Sequence, residues 1–243
     1  MPSLGDLTVI IPLAPGEVAW KELIQDLSGL PLETEILFVG SEMPKDAPKI
    51  FSENLELAAG RKVRWIPSPL GRARQLNAGA KAARKPFLWF LHADSRFSEG
   101  TLPALENALQ NKPEAFHYFN LWFMSDGPAW TLLNTVGTWI RAHGLGTPYG
   151  DQGFCMSREL FEKLGGYRED VKYGEDHLLV WKARQEGFKL SCTGEILLTS
   201  ARKYREQGWA ATTYRHGKLG YLQAFPEFFK LLRNRLVGSR KNK

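Results

Sequence analysis

The sequence predicts an α/β fold built on a mostly parallel central sheet with helices on both faces. Four short runs, 7–13, 35–39, 63–66 and 87–91, are apolar and rich in β-formers without the alternation of a half-exposed strand. Continuous apolar character marks strands covered on both faces, and parallel sheets are covered in this way. Segments with helical spacing lie between these runs and provide the crossovers that parallel strands require. The chain has 243 residues and is 43% hydrophobic, enough for one large core.

Taken in order, "LTVIIPL" (residues 7–13) is the first strand and residues 17–27 suit a helix. "EILFV" (35–39) and "VRWI" (63–66) are the next strands. Residues 72–83 form a helical pattern with Ala73, Leu76, Ala80 and Ala83 on one face. "FLWFL" (87–91) follows, and then Leu102, Leu105 and Leu109 recur at helical spacing behind Thr101 as cap, with Pro103 in the first turn. "AFHYFNLWFM" (115–124) is a long strand buried on both sides. Residues 127–144 suit a helix with Trp130, Leu133, Gly137 and Ile140 on one stripe. The glycine-rich "GLGTPYGDQGF" is loop. A short helix (158–164), the turn "GGY", a helix from "GEDHLL" (174–187), the strand "EILLTSA" and a long basic helix complete the chain. There is no internal repeat.

Net charge is +6, yet from Lys218 onward there are seven basic residues and one acid, so the body before it is neutral. That distribution argues against a nucleic-acid partner and for an acidic surface at one edge. No run approaches the roughly 18 consecutive apolar residues of a spanning helix, and "MPSLGDL" lacks a basic stretch followed by an apolar one. A cytoplasmic protein is expected. Cys155 and Cys192 lie in apolar surroundings and match no metal or redox spacing, as reduced core thiols would. In the tail, Phe225, Phe228, Phe229, Leu232 and Leu236 share a face away from Lys230, Arg233 and Arg235. Such a basic amphipathic helix docks on its own domain or a partner, or lies on the inner face of an anionic membrane.

Three stretches carry chemistry. "FLHADS" ends an apolar strand on His92 and Asp94 at the sheet's carboxyl edge, where open α/β sheets bind ligands. A carboxylate there suits Mg²⁺ completed by phosphate oxygens and water, while a turn-capping Asp94 beside an ordinary edge histidine remains the alternative. "GRARQLNAGA" puts Arg72 and Arg74 in a first helical turn, where the macrodipole disfavours cations unless an anion offsets them. Asn77 lies one turn on; a solvated basic helix is the alternative. "YGEDHLL" opens a helix on Glu175 and Asp176, whose ionised forms the dipole favours, so either serves as a base or simply as a cap.

Together, "GRARQLNAGA", "FLHAD", "GDQGFCMSRELFEKLGGY", "ED" and "SAR" resemble the nucleotide-sugar glycosyltransferases of family 2, with the GT-A fold, and within them a small bacterial subgroup. The resemblance spans roughly residues 7–205. It implies a single GT-A-like domain over 1–243, with a nucleotide-donor half (1–95), an acceptor and catalytic half (96–205) and a helical tail (206–243). It implies that Asp94 holds Mg²⁺ or Mn²⁺ on the donor pyrophosphate, that Asp176 is the general base of an inverting transfer, and that no organic cofactor is used. Pro12, Leu13 and Glu17 then lie where the nucleoside is held, Arg72, Arg74, Asn77 and His92 on the donor side, and Gly150, Asp151 and Gln152 beside the transferred sugar and acceptor. A lipid-linked acceptor would suit the basic tail.

Two positions depart from the family pattern. Gly40 stands where an aspartate usually reads the base, and His92 replaces the first carboxylate of D-x-D, where it is expected to hydrogen-bond the ribose or a metal-bound water. His216, a possible late ligand, is expected to be exposed on its basic helix. The rival readings are a sugar nucleotidyltransferase, whose glycine-rich loop is missing after Leu13, and a non-catalytic nucleotide-binding scaffold, which Gly40 and His92 would suit.

Overall fold

The computed structural model describes residues 1–56 and 63–241. Within them lie strands β1 (Leu7–Leu13), β2 (Glu35–Gly40), β3 (Val63–Pro67), β4 (Phe87–Phe90), β5 (Ser95–Phe97), β6 (Phe116–Phe123), β7 (Cys155–Ser157) and β8 (Leu190–Thr199). The helices are α1 (Trp20–Leu27), α2 (Ala47–Phe51), α3 (Arg72–Ala82), α4 (Thr101–Asn111), α5 (Thr131–Gly144), α6 (Arg158–Lys163), α7 (Glu175–Gln185), α8 (Arg202–Gln207) and α9 (Trp209–Lys241).

One sheet of order β3-β2-β1-β4-β7-β6-β8-β5 runs through the molecule. The half containing β3, β2, β1 and β4 is wholly parallel. β7 enters antiparallel between β4 and β6, β8 pairs parallel with β6, and short β5 pairs antiparallel with β8. Alternate β1 side chains enter two cores. Val9 and Ile11 pack with Trp20, Leu23, Leu27 and Leu105 on one face; Ile10 packs with Leu76, Ala80, Phe161 and Leu179 on the other. That two-sided burial is what the uninterrupted apolar runs anticipate. Pro12 is tolerated in a central strand because the last β1–β4 pair is Ile10 with Phe90, beyond which β4 has turned away.

Several elements differ from the sequence expectation: β8 covers Leu190–Thr199, starting well before "EILLTSA", and α5 starts only at Thr131, while three others differ for local reasons. The first helix begins at Trp20 rather than Glu17, because the Glu17 carboxylate accepts from the N–H groups of Val18 and Ala19, both at 2.8 Å. Thr101 is the first residue of α4, with Gly100 at the cap. Its hydroxyl accepts from Ser98 N–H at 2.8 Å and donates to the Ile196 carbonyl at 2.9 Å, tying α4 to β8. β6 is buried from Phe116 to Phe119 and again at Leu121, but Trp122 near its end is exposed and Asn120 and Phe123 are half-buried.

Two helices expose apolar faces. In α5 the buried positions are Thr131, Thr135 and Ala142, and the stripe of Trp130, Leu133 and Ile140 is turned to solvent. The tail helix docks on its own domain, through Thr212, Glu227 and Leu231, while Phe225, Phe228, Phe229, Leu232 and Leu236 stay exposed. The side chain of Arg235 lies outside the described residues.

Candidate active site

At the carboxyl end of β4 the chain turns tightly: His92 N–H donates to Ser95 Oγ at 3.2 Å, and Ser95 N–H donates to the His92 carbonyl at 3.2 Å. The turn delivers His92 and Asp94 into a cleft of about 710 Å³. Arg72, Asp151, Asp176 and Lys203 line the same cleft, with Tyr149, Tyr173, His177, His216 and Gln223 around them. This is the crevice beyond the strand ends in which open α/β sheets bind ligands.

Arg72 organises the charges. Its guanidinium contacts His92 Nε2 and lies 3.4 Å from Glu175 Oε1. Because the guanidinium can only donate, His92 Nε2 is the acceptor and the proton sits on Nδ1, 4.0 Å from Asp94 Oδ1. Burial, then the Arg72 charge, holds His92 well below its usual range, so it is neutral at pH 7. Asp94 is raised by burial and by Glu17, and the only basic side chain within 4.0 Å of its carboxylate among the described residues is this neutral imidazole. A partly buried carboxylate with no direct ion pair to Lys or Arg among the described residues, facing open cleft, fits a hard divalent cation that phosphate and water complete. No cluster of three or more potential metal ligands occurs among the described residues, so protein donors alone would hold such an ion weakly.

The two acidic residues that open α7 diverge. Asp176 Oδ2 accepts from Gly150 N–H at 2.6 Å and Oδ1 from His177 N–H at 2.8 Å. Burial by itself would raise this carboxyl, but Arg72 and the two backbone donors more than reverse it, and Asp176 is held below the usual carboxylate range. Glu175 moves the other way, because burial outweighs Arg72. Of the two, Asp176 is the carboxylate held ionised, and Glu175 is not among the described residues that line the cleft. Burial pushes Asp151 up to about 6 against the opposing charge of Arg141, and its Oδ1 has no hydrogen-bond partner among the described residues.

Glycine makes this packing possible. A Cβ on Gly150 would stand 2.7 Å from the Arg72 guanidinium and 2.9 Å from Asp176 Oδ2. Gly174, at φ 73°, lets the chain enter α7 in a left-handed conformation beneath Gln223 of α9. Gln223 Nε2 donates to the Tyr173 carbonyl at 2.7 Å, and its Oε1 lies 3.3 Å from His177 Nδ1. The tail helix thus forms one wall of the cleft.

Several residues singled out in the sequence lie outside the cleft lining. Arg74 faces Glu169 at 3.8 Å. Asn77 bonds the Tyr167 backbone at both its N–H (2.9 Å) and its carbonyl (2.8 Å), pinning the "GGY" turn. Gln152 donates to the Phe119 carbonyl at 2.8 Å and accepts from Tyr149 N–H at 3.0 Å, clamping its own loop. Leu13 is buried, and its carbonyl accepts from Gln75 Nε2 at 2.8 Å. Glu17 faces Arg202 at 3.6 Å, while Asp126 accepts from Ser200 Oγ and Ala201 N–H, at 2.5 and 2.7 Å, and so fixes the "SAR" turn. At Gly40, an added Cβ would meet the Trp65 ring at 2.6 Å, so an indole fills the space where the family pattern has a side chain.

Lys203, Tyr149 and Gln223 were not anticipated. Lys203 directly follows "SAR" and Tyr149 directly precedes Gly150, so both had a signal; Gln223 is recognisable only once α9 is seen against α7. His216, expected to be exposed, lines the cleft beside Tyr204, 6.2 Å between ring centroids.

A mannosyltransferase from Pyrobaculum calidifontis, solved with GDP-Man and Mn²⁺, has a similar fold: TM-score 0.66 and 18% identity over 97% of this chain and 71% of that one. TarS 1-349 of S. aureus, solved with UDP-GlcNAc, is similar at TM-score 0.61 and 19% identity over 81% of this chain and 58% of that one. No curated protein sequence matches significantly. The family model described as "Glycosyl transferase family 2" matches residues 8–164, and the chain belongs to that family.

Proposed function

We propose that the protein is an inverting glycosyltransferase that moves a sugar from a nucleoside diphosphate to an acceptor hydroxyl, with Asp176 as general base, and that residues 1–243 act as one catalytic domain. The observation that carries the reading is Asp176 itself, a carboxylate kept ionised by Arg72 and two backbone N–H groups on the wall of a cleft that also holds Asp94 and Lys203. Asp176 accepts the hydroxyl proton as the acceptor oxygen bonds to the anomeric carbon from the face opposite the leaving group. The bond from that carbon to the diphosphate oxygen breaks, and its electron pair departs with the diphosphate. Arg72 and Lys203, which line the same cleft, would supply fixed positive charge for the negative charge that develops on the diphosphate. Asp94, with His92 beside it, would hold Mg²⁺ or Mn²⁺, which when bound neutralises part of the diphosphate charge. The GDP-Man and Mn²⁺ bound by one structural neighbour, and the UDP-GlcNAc bound by another, support a nucleotide-sugar donor and a divalent metal.

The test is turnover of UDP, GDP, dTDP and CDP sugars with Mg²⁺ or Mn²⁺. Asp176→Asn should lower kcat by roughly 10²- to 10⁴-fold, the usual worth of a general base. Asp94→Ala should raise the metal concentration needed for half-maximal rate. Unchanged kinetics in both variants would overturn the assigned roles, and retention of anomeric configuration in the product would overturn the single displacement.

A further inference from the structure

We propose that α5 and the exposed side of α9 form a docking surface for an anionic lipid bilayer, a proposal that does not rest on the transferase reading. The helix α5 is inverted: its hydroxyl-bearing Thr131 and Thr135 are buried, whereas Leu132, Leu133, Val136, Trp139 and Ile140 point to solvent. Trp130 just before it is 64% exposed and Trp139 is 55% exposed. Isolated exposed apolar residues are ordinary, but a contiguous helix face of them marks an interaction site.

The face continues onto α9. Trp130 packs against Trp209 at 6.1 Å between centroids, and Asn134 bonds Trp209 Nε1 at 2.5 Å and Thr213 Oγ1 at 3.0 Å. Along α9 the rings of Tyr221, Phe225 and Phe229 follow one another at centroid distances of 6.2 and 4.9 Å, all exposed. Leu219 and Leu222 of the same helix line the cleft, so the apolar surface reaches its mouth.

Charge identifies the occupant. The exposed charges described on α5 and α9 are all basic, including Arg215, Lys218, Lys230 and Arg233; the single acid of the two helices, Glu227, is buried and bonded to Gln185 and Lys230. Two copies of this chain meeting through such a face would oppose like charges. Anionic headgroups neutralise them while the aromatic and aliphatic side chains enter the headgroup–acyl boundary. No helix among the described residues is long and apolar enough to cross a membrane, so the contact is peripheral.

Co-sedimentation of the full chain with vesicles tests this. Phosphatidylcholine vesicles carrying phosphatidylglycerol should bind at least about tenfold more protein than phosphatidylcholine alone, and the excess should fall with added salt. Val136→Asp with Ile140→Asp, both exposed, should cut binding about tenfold without changing the melting temperature. In the unmodified chain, bromine-labelled acyl chains should quench tryptophan emission. Absence of binding to the anionic vesicles, binding unaltered in the double variant, or no quenching would each overturn the proposal. So would sedimentation equilibrium showing a dimer that Val136→Asp dissociates, since a second copy would then cover the face.

Discussion

Asp151→Asn separates the electrostatics of the cleft from its packing. Burial raises the Asp151 carboxyl from 3.8 to about 6, against the opposing pull of Arg141. A folded-state value above the unfolded one means that the native protein binds the proton more tightly. The associated stability is complete below about pH 3.8 and is lost as pH rises through about 6, and above that the native state carries an ionised group it disfavours. The interval from 3.8 to about 6 is worth at most about 3 kcal/mol, at about 1.36 kcal/mol for each tenfold change. Asparagine has the same shape without the charge. The variant should therefore be more stable than the parent by up to about 3 kcal/mol at pH 8, with the gain shrinking between pH 6 and 4. For a chain of this size that is about 6–12 °C in melting temperature. Parallel urea and thermal melts from pH 4 to 8.5 isolate the residue, because every other titrating group is common to both proteins. A difference that is flat with pH, or that grows on acidification, would refute the reasoning. Because Asp151 lines the cleft, the same variant should turn over more slowly, stability being gained at the expense of the site.

Two further outcomes follow from the site. Arg72→Met removes the largest influence that lowers Asp176, so the acid limb of the kcat/KM profile should move to higher pH; a limb that stays in place would show that the backbone donors from Gly150 and His177 suffice. Restoring the family's aspartate with Gly40→Asp should destabilise the chain by about 1–3 kcal/mol in urea melts, because its Cβ meets the Trp65 ring at 2.6 Å. Trp65→Ala in that background should recover part of the loss, and a double variant no better than the single would show that the indole is not the obstacle.

Much of the scaffold was legible because it follows from local rules. The runs that became β1, β2 and β4 lack alternation since both of their faces are covered, edge strand β3 is only half-buried, and α3 shows its apolar stripe in sequence. The site residues were legible as chemical types at strand and helix ends. Their division of labour was not: Arg72 turned into the cleft while Arg74, two residues on, turned to Glu169, and Asn77 and Gln152 were consumed in holding turns. Glu175 and Asp176 are adjacent and chemically alike, and they diverge because Arg72 and the N–H groups of His177 and of Gly150, 26 residues away in the chain, outweigh burial at Asp176, whereas burial outweighs Arg72 at Glu175.

Sequence alone was sufficient for the α/β class, the family and the candidates Asp94 and Asp176, since strand burial, helix spacing and ordered motifs are properties of short segments. Tertiary structure decided which carboxylate stays ionised, that an indole occupies the space beside Gly40, and that α5 faces outward with its apolar side. Those outcomes depend on distances between residues remote in the chain, and electrostatics and packing act through space rather than along the backbone.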